Sequence, residues 1–356
     1  MFSLLDHTTQ VHVRFINKKT ILRFCDRRTR KEIQEKMLSV LTICIFAQGG
    51  CPEHCWNLHD IMPANVPISV VECDLNSLHP ANDTLYVARG QMVTQLSRRV
   101  SMWKRSFFLK NVGVFVMADE YNADKNSNAL GPFDFALRNY YFPVLKNAGH
   151  IHLGSLGNLT CGYHENVITE PAPRLGYFWL PPLSLATLPL FPRGNLVPGS
   201  RRKFSFCFVG SEHADRRDMS RAFEQVEGGK IVLQKTFRGD LGTGRYAIET
   251  LGNCAIALIP RGNNVETIRM MDALKMGAVP ALVHLAGTRN NHFYIEQFFE
   301  PPPFIVENSW VKVRDRILQI TARDSTIDDI QSRTQSWFSR YRECVRQDMH
   351  ILLTSV

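Results

Sequence analysis

Glu266, Arg269 and Asp272 stand three residues apart in the stretch "VETIRMMDALKMGAVPALV" (265–283). On a helix, that spacing sets acid, base and acid along one face. Two uses fit such a triplet. It can be an exposed ladder of ion pairs, each worth a few tenths of a kcal/mol. It can instead hold a ligand: the planar guanidinium fork of Arg269 matches a diphosphate, and Asp272 or Glu266 can accept hydrogen bonds from ribose hydroxyls. Spacing alone leaves the two level. The preceding residues add context. The apolar run "CAIALIP" (254–260) ends at Pro260, and Arg261-Gly262-Asn263-Asn264 leads into the helix. Asn264 is a good N-cap type, and a helix N-terminus offers free N–H groups to an anion. Gly262 lets backbone approach a phosphate closely, and Arg261 adds charge. Gly277 falls where a helix C-terminus favours glycine.

Other residues suit the same chemistry. "NVGVFVMADEY" (111–121) reads as an apolar strand ending in Asp119 and Glu120. A carboxylate at that end can act as a general base toward a hydroxyl, with Glu120 the first candidate and Asp119 the second. They can equally be structural, Asp119 capping a turn and Glu120 pairing with Arg138. Tyr140 and Tyr141 offer aromatic faces for a sugar ring or for a core. His54 lies in an early loop, and a lone loop histidine is usually a bystander. "FCFVGS" closes at Ser211, and Arg216 and Arg217 follow five and six residues later. "GDLGTGRY" (239–246) matches neither a dinucleotide fingerprint nor a P-loop and reads as a turn, with Arg245 nearby. No Asp-x-Asp occurs in the chain. A leaving diphosphate would then be neutralised by cationic side chains and a helix N-terminus rather than a metal, and neither a metal site nor a cofactor is expected.

The elements that must position these residues alternate strand and helix, the pattern of parallel α/β sheets. "LTICIFA" (41–47), "ISVVECDL" (68–75), "TLYVAR" (84–89), 111–117, 203–211, 230–237, 254–260 and 278–283 read as strands. Residues 91–110, 216–226, 244–253, 265–276, 310–321 and 326–349 read as helices, and "FDFALRNYYFPVL" (133–145) as partly helical. Prolines at 181, 182, 189, 192 and 198 break the pattern near its middle. The expected organisation is a peripheral segment over 1–36, an N-terminal α/β domain over 37–185 and a linker over 186–203. A C-terminal α/β domain over 204–325 and a helix over 326–356 follow. Ligands of such sheets bind beyond the carboxyl ends of the strands.

The chain has 356 residues, 44% of them hydrophobic and 21% charged, which excludes a disordered or fibrous protein. The net charge of +9 favours anionic partners. Without a dense basic block, small phosphorylated ligands are expected rather than nucleic acid. Nine cysteines are scattered along the chain. Cys207 and Cys254 lie in apolar runs and read as buried free thiols. "CPEHC" (51–55) lacks a second pair at zinc spacing and reads as a loop disulfide at most. No membrane span or signal peptide is read. The sequons Asn82-Asp83-Thr84 and Asn158-Leu159-Thr160 permit a lumenal location.

"ETIRMMDALKMGAVPALV" resembles the C-terminal signature of exostosin-type glycosyltransferases, through Arg269, Asp272, Ala273, Gly277, Val279 and Pro280. "FCFVGS…RRDM" (206–219) resembles the strand and Arg-bearing loop that open the same domain. Asp119-Glu120 and Arg138-Asn139-Tyr140-Tyr141 resemble the N-terminal pattern of some exostosin-like proteins, with ribitol-phosphate xylosyltransferase-like members the nearest in kind. The resemblance spans roughly residues 40–320. It implies a GT-B fold, two Rossmann-like α/β domains facing a cleft. It also implies transfer of a sugar from a nucleotide donor, expected to be UDP-linked, to a glycan or polyol hydroxyl. Arg269 would meet the diphosphate and Asp272 or Glu266 the ribose. Arg261, Gly262, Asn264, Arg216 and Ser211 would complete the donor side, and Arg138, His54 and Tyr140 the acceptor side. The family implies the Golgi lumen and an N-terminal membrane anchor. A glycan-binding scaffold of the same fold is the alternative function.

Overall fold

A computed structural model describes residues 41–46, 68–117, 131–138, 151–152, 174–177, 196–235, 241–262, 268–284 and 300–354. The chain divides into Met1–Val40 and Leu41–Val356, and every described residue lies in the second part. That part contains two parallel sheets. The first has strand order β2-β1-β3-β4-β5-β7-β6. Its strands are β1 (Leu41–Phe46), β2 (Ile68–Cys73), β3 (Thr84–Arg89), β4 (Val112–Met117), β5 (Phe135–Arg138), β6 (Ile151–His152) and β7 (Arg174–Tyr177). Helix α1 (Gly90–Phe107) crosses from β3 to β4. Its Val93, Leu96, Val100 and Trp103 recur at helical spacing. They are buried with Tyr86, Ala88, Val112, Val114 and Val116 of the sheet. Period-3.6 patterning between two continuous apolar runs folds in this way because the apolar stripe of the helix and one face of the sheet cover each other.

The second sheet has order β12-β11-β10-β8-β9. Its strands are β8 (Phe204–Ser211), β9 (Gly229–Gln234), β10 (Cys254–Leu258), β11 (Val279–Val283) and β12 (Ile305–Glu307). Helices α2 (Ala214–Ala222), α3 (Leu241–Gly252), α4 (Ile268–Lys275) and α5 (Trp310–Thr321) connect or follow them, and α6 (Asp324–Thr354) closes the chain. Met219 of α2, Trp310, Val313, Ile317 and Ile320 of α5, and Ile327 and Ile330 of α6 pack with Phe206, Phe208, Ile256, Leu258, Val279 and Ala281. Helix α3 covers β8 and β10, and α4 packs against α3 and β11. Strands β10 and β11 are buried throughout or nearly so, as expected of central parallel strands covered on both sides.

The α/β reading with two Rossmann-like parallel sheets therefore holds. Two local readings do not. "FALR" (135–138) is strand rather than helix: it pairs in parallel with β4, Val116 opposite Arg138. The tertiary neighbour decides that short apolar segment. Within "GDLGTGRY", residues 241–246 are helical rather than a turn. Two glycines cost that helix about 1 kcal/mol each relative to alanine, and burial of Ile248 and Leu251 offsets the cost.

The proline-rich stretch also ends in an anchored form. Gly199 N–H donates to Gln331 Oε1 (2.8 Å), and Ser200 donates to both carboxylate oxygens of Asp328 (2.9 and 2.7 Å). The Arg202 guanidinium donates to the carbonyls of Cys254 (2.9 Å) and Met276 (2.9 Å), and its Nε to that of Val197 (3.0 Å). Burial holds its pKa below the usual value, against a smaller opposing pull from Cys254 and Cys207. Gln331 Nε2 in turn donates to the carbonyl of Gly277 (2.8 Å). Helix α6 and the 197–202 segment thus clamp the C-terminal end of α4. Gly277 itself has φ +76°, the left-handed cap that its position predicts.

Cys207 and Cys254 are buried free thiols, as expected. The loop disulfide read for "CPEHC" lies outside the described residues. Cys44 and Cys73, on neighbouring strands β1 and β2, are joined with Cα atoms 5.6 Å apart. Cys344 is also disulfide-bonded.

Candidate anion site at the switch point of the second sheet

Strand β8 lies between β9 and β10, so the chain leaves it in one direction and later returns on its other side. The loops after β8 and β10 therefore part company at their carboxyl ends, where open parallel sheets bind ligands. Ser211 ends β8, Arg216 lies in the first turns of α2, and Arg261-Gly262 follow β10 by way of Pro260.

Arg216 Nη1 donates to the Ser211 carbonyl (2.8 Å) and to Ser211 Oγ (2.7 Å), which fixes the guanidinium across the end of its own strand. The group also stands over the Phe208 ring, 5.4 Å from its centroid, a favourable cation–π placement. Its Nε is buried and has no hydrogen-bond partner among the described residues. Burial, then the neighbouring charge of Arg269, push its pKa down to about 10, against a smaller opposing pull from Asp215. Arg216 thus feels a second guanidinium more strongly than its nearest carboxylate. Arg217, the other candidate on this loop, turns toward Glu212 at 3.3 Å on the surface.

Asp215 makes the junction rigid. One carboxylate oxygen accepts from the Arg261 backbone N–H (2.9 Å), the other from Trp310 Nε1 (3.0 Å). One side chain on α2 thereby ties the loop after β10 to the start of α5. Gly262 lies close to Arg216: a Cβ there would stand 3.0 Å from Arg216 Nη2, a tight contact.

Arg269 and Asp272 both lie on α4, 3.7 Å apart at their closest charged atoms. That is ion-pair range and too long for a hydrogen bond. Asp272 is 5% exposed. Burial raises its pKa to about 6, although Arg269 and Lys275 pull it the other way. The two cations do not offset the desolvation.

Ser211, Arg216, Arg261, Gly262, Arg269 and Asp272 are thus gathered at one edge of one sheet. Asn264, Glu266, Asp119, Glu120, His54 and Tyr140 lie outside the described residues. Arg138 is the last residue of β5, opposite Val116 and Tyr177 in register, at the carboxyl end of the first sheet. Sequence reasoning missed Asp215, Trp310 and Phe208. An aspartate in the first turn of a helix following a strand was a visible signal for Asp215. Nothing in the spacing points from residue 215 to residue 310. Among the described residues no group of three His, Cys, Asp or Glu could hold a metal ion. No described helix is long and apolar enough to cross a membrane.

No family model matches the chain, and no curated protein matches it. Among solved structures, a Staphylococcus aureus TarM mutant in complex with fondaparinux, α-GlcNAc-glycerol and UDP is similar at 9% identity and a TM-score of 0.41, over 78% of this chain and 57% of that one. A mutant of the Thermobaculum terrenum O-GlcNAc transferase is similar at 14% identity and a TM-score of 0.43, over 89% and 66%. A Listeria monocytogenes protein assigned as a UDP-N-acetylglucosamine 2-epimerase is similar at 10% identity and a TM-score of 0.41, over 83% and 91%. The chain spans less than two thirds of the first two. At these scores, what those proteins bind and do describes them alone.

Proposed function

We propose that the protein is a glycosyltransferase of GT-B type whose second sheet binds a nucleotide-sugar donor by its diphosphate. The observation that carries this reading is the pair Arg216 and Arg269, two cations close enough to depress the pKa of Arg216 at the switch point of a parallel sheet. Arg216 also keeps a buried Nε without a hydrogen-bond partner among the described residues. Like charges held together at a strand end call for an anion between them. Gly262 leaves that anion room beside Arg216, and the 261–262 backbone adds a fixed polar edge.

In the reaction the acceptor hydroxyl oxygen attacks the sugar C1. The C1–O bond to the diphosphate breaks, and its electron pair leaves with the phosphate. Arg216 and Arg269 stabilise the charge that develops there, and the hydroxyl proton passes to a base, for which Glu120 is the first candidate and Asp119 the second. Asp272, nearly without solvent exposure, holds Arg269 in place, and Glu266 is the acid proposed for the ribose. Arg261, Asn264 and Ser211 complete the donor side. Arg138, Tyr140 and His54 stand as proposed acceptor-side residues. The exostosin-type membership, the UDP-linked donor, the glycan or polyol acceptor and metal independence belong to this proposal. So does the Golgi lumen, which the disulfides support because such bonds persist in oxidising compartments.

The test is a panel of UDP, other nucleoside diphosphates and UDP-sugars, read as protection against thermal unfolding. A ligand at 100 times its Kd stabilises by about 2.7 kcal/mol. Arg216→Ala and Arg269→Ala should each weaken UDP binding by roughly 10- to 150-fold, the loss of one charge-assisted contact. If no nucleotide protects the folded protein, or both variants bind UDP like the parent, the donor site is lost as an idea.

A further inference from the structure

We propose that Asn82 carries an N-linked glycan whose first sugars cover the exposed aromatic side chain of Phe108. The sequon Asn82-Asp83-Thr84 leads into β3, at the amino edge of the first sheet. That edge lies away from the carboxyl ends of the strands, where a ligand would bind. Asn82 is exposed, and its side chain is oriented by a single bond. Lys110 N–H, which can only donate, meets Asn82 Oδ1 at 2.9 Å. The oxygen of the amide therefore faces the protein and Nδ2 faces away, without a partner among the described residues. A glycan attaches through Nδ2 and leaves Oδ1 as an acceptor, so the modified side chain keeps its bond to Lys110.

The turn beneath it is held from several sides. Asp83 N–H donates to the Lys110 carbonyl (3.1 Å), Thr84 N–H to that of Asn111 (3.0 Å), and Thr42 N–H to that of Asp83 (2.9 Å). Asn111 Nδ2 donates to Asp83 Oδ1 (2.7 Å). Thr84 is 3% exposed, and its hydroxyl donates to the Asn82 carbonyl (3.1 Å). The sequon hydroxyl is thus sealed in the folded protein, and transfer to Asn82 must precede closure of this turn.

The covering partner lies in the segment after α1, two residues before Lys110, whose N–H bonds Asn82. Phe108 is 84% exposed and Phe107 60%. Two adjacent phenylalanines left in water are costly, at roughly 25 cal/mol per Å² of apolar surface. The apolar face of a sugar ring stacks on an aromatic face and removes that surface from water. The disulfides Cys44–Cys73 and that of Cys344 indicate an oxidising compartment, where such transfer takes place. In the transfer, Nδ2 attacks C1 of an oligosaccharide carried on a lipid diphosphate. The C1–O bond breaks, the electron pair leaves with the diphosphate, and one amide proton is lost to the transferring enzyme.

The experiment is peptide mapping of the protein isolated from its own cells, before and after treatment with a peptide N-glycosidase in heavy-oxygen water. Position 82 should be found as aspartate bearing the heavy-oxygen label. In cells expressing variants, Thr84→Val should lose the modification and Thr84→Ser retain it. Phe108→Ala should lower the melting midpoint of the glycosylated protein and leave that of the enzymatically deglycosylated protein unchanged. Recovery of Asn82 as the unmodified amide overturns the proposal. So does a Phe108→Ala effect that is equal in both forms, for its covering role. If Asn82 is unmodified and the protein binds phosphatidylserine vesicles through Phe107 and Phe108, the patch is a membrane contact instead.

Discussion

Asp272 is the residue where burial and charge disagree most openly. Its folded pKa of about 6 lies above the unfolded value of 3.8. Between those two pH values the folded state binds more protons than the unfolded state. Stability therefore falls as pH rises through this window and stays lower above it. Asp272→Asn removes a charge that the site hardly solvates. We expect the variant to lose that fall and to gain up to about 3 kcal/mol at pH 7, at 1.36 kcal/mol for each tenfold change in proton affinity. Urea denaturation from pH 4 to 8 checks it. If the two proteins show parallel pH profiles, Asp272 is ionised and solvated, and its place beside Arg269 has been misread. The residue types here were legible from spacing alone: Arg269 and Asp272 do meet, 3.7 Å apart. Their burial was not, because exposure depends on what packs over α4, and i,i+3 spacing is the same on a wet face and a dry one.

At the scale of the element, the site depends on one loop being held by one helix. Asp215 bonds both the Arg261 backbone and Trp310, so α2, the loop after β10 and α5 move together. Asp215→Ala should cost about 3–6 kcal/mol, the loss of two hydrogen bonds to a charged acceptor. It should also weaken UDP binding, since Arg261 and Gly262 lose their anchor. Chemical denaturation and calorimetric titration measure the two effects. Unchanged affinity alongside reduced stability would mean that the loop is held by something else. Strand and helix types were readable here because β10 and β11 are apolar runs and α4 stops just before a glycine. The cap at Gly277 was readable as well, since its φ of +76° is a conformation that glycine tolerates and most residues do not. "FALR" and "LGTGRY" were misread for the opposite reason. In both, local preference was weak and the packing partner, β4 or the buried face of α3, decided.

For the molecule as a whole, one cross-link ties two neighbouring strands of the first sheet. Cys44–Cys73 closes a loop of sequence separation 29, which is worth about 3.6 kcal/mol in chain entropy. The double variant Cys44→Ala, Cys73→Ala should lose about that much in chemical denaturation. A non-reducing peptide map should recover Cys44 linked to Cys73, with Cys207 and Cys254 alkylated only after unfolding. Recovery of Cys44 and Cys73 as free thiols would refute both the link and the oxidising compartment inferred from it. The sequence by itself determined the α/β alternation, the buried free thiols, the helix cap at Gly277 and the residue types of an anion site, because each follows from local periodicity or from backbone geometry. Only the tertiary structure decided which strands are neighbours, and with that everything nonlocal. It set Arg216 beside Gly262, joined residue 215 to residue 310, paired Cys44 with Cys73 and laid Lys110 against Asn82. The reason is physical: a sheet brings together residues far apart in the chain by strand order, and strand order is fixed by how helices cover both faces rather than by any single stretch of sequence.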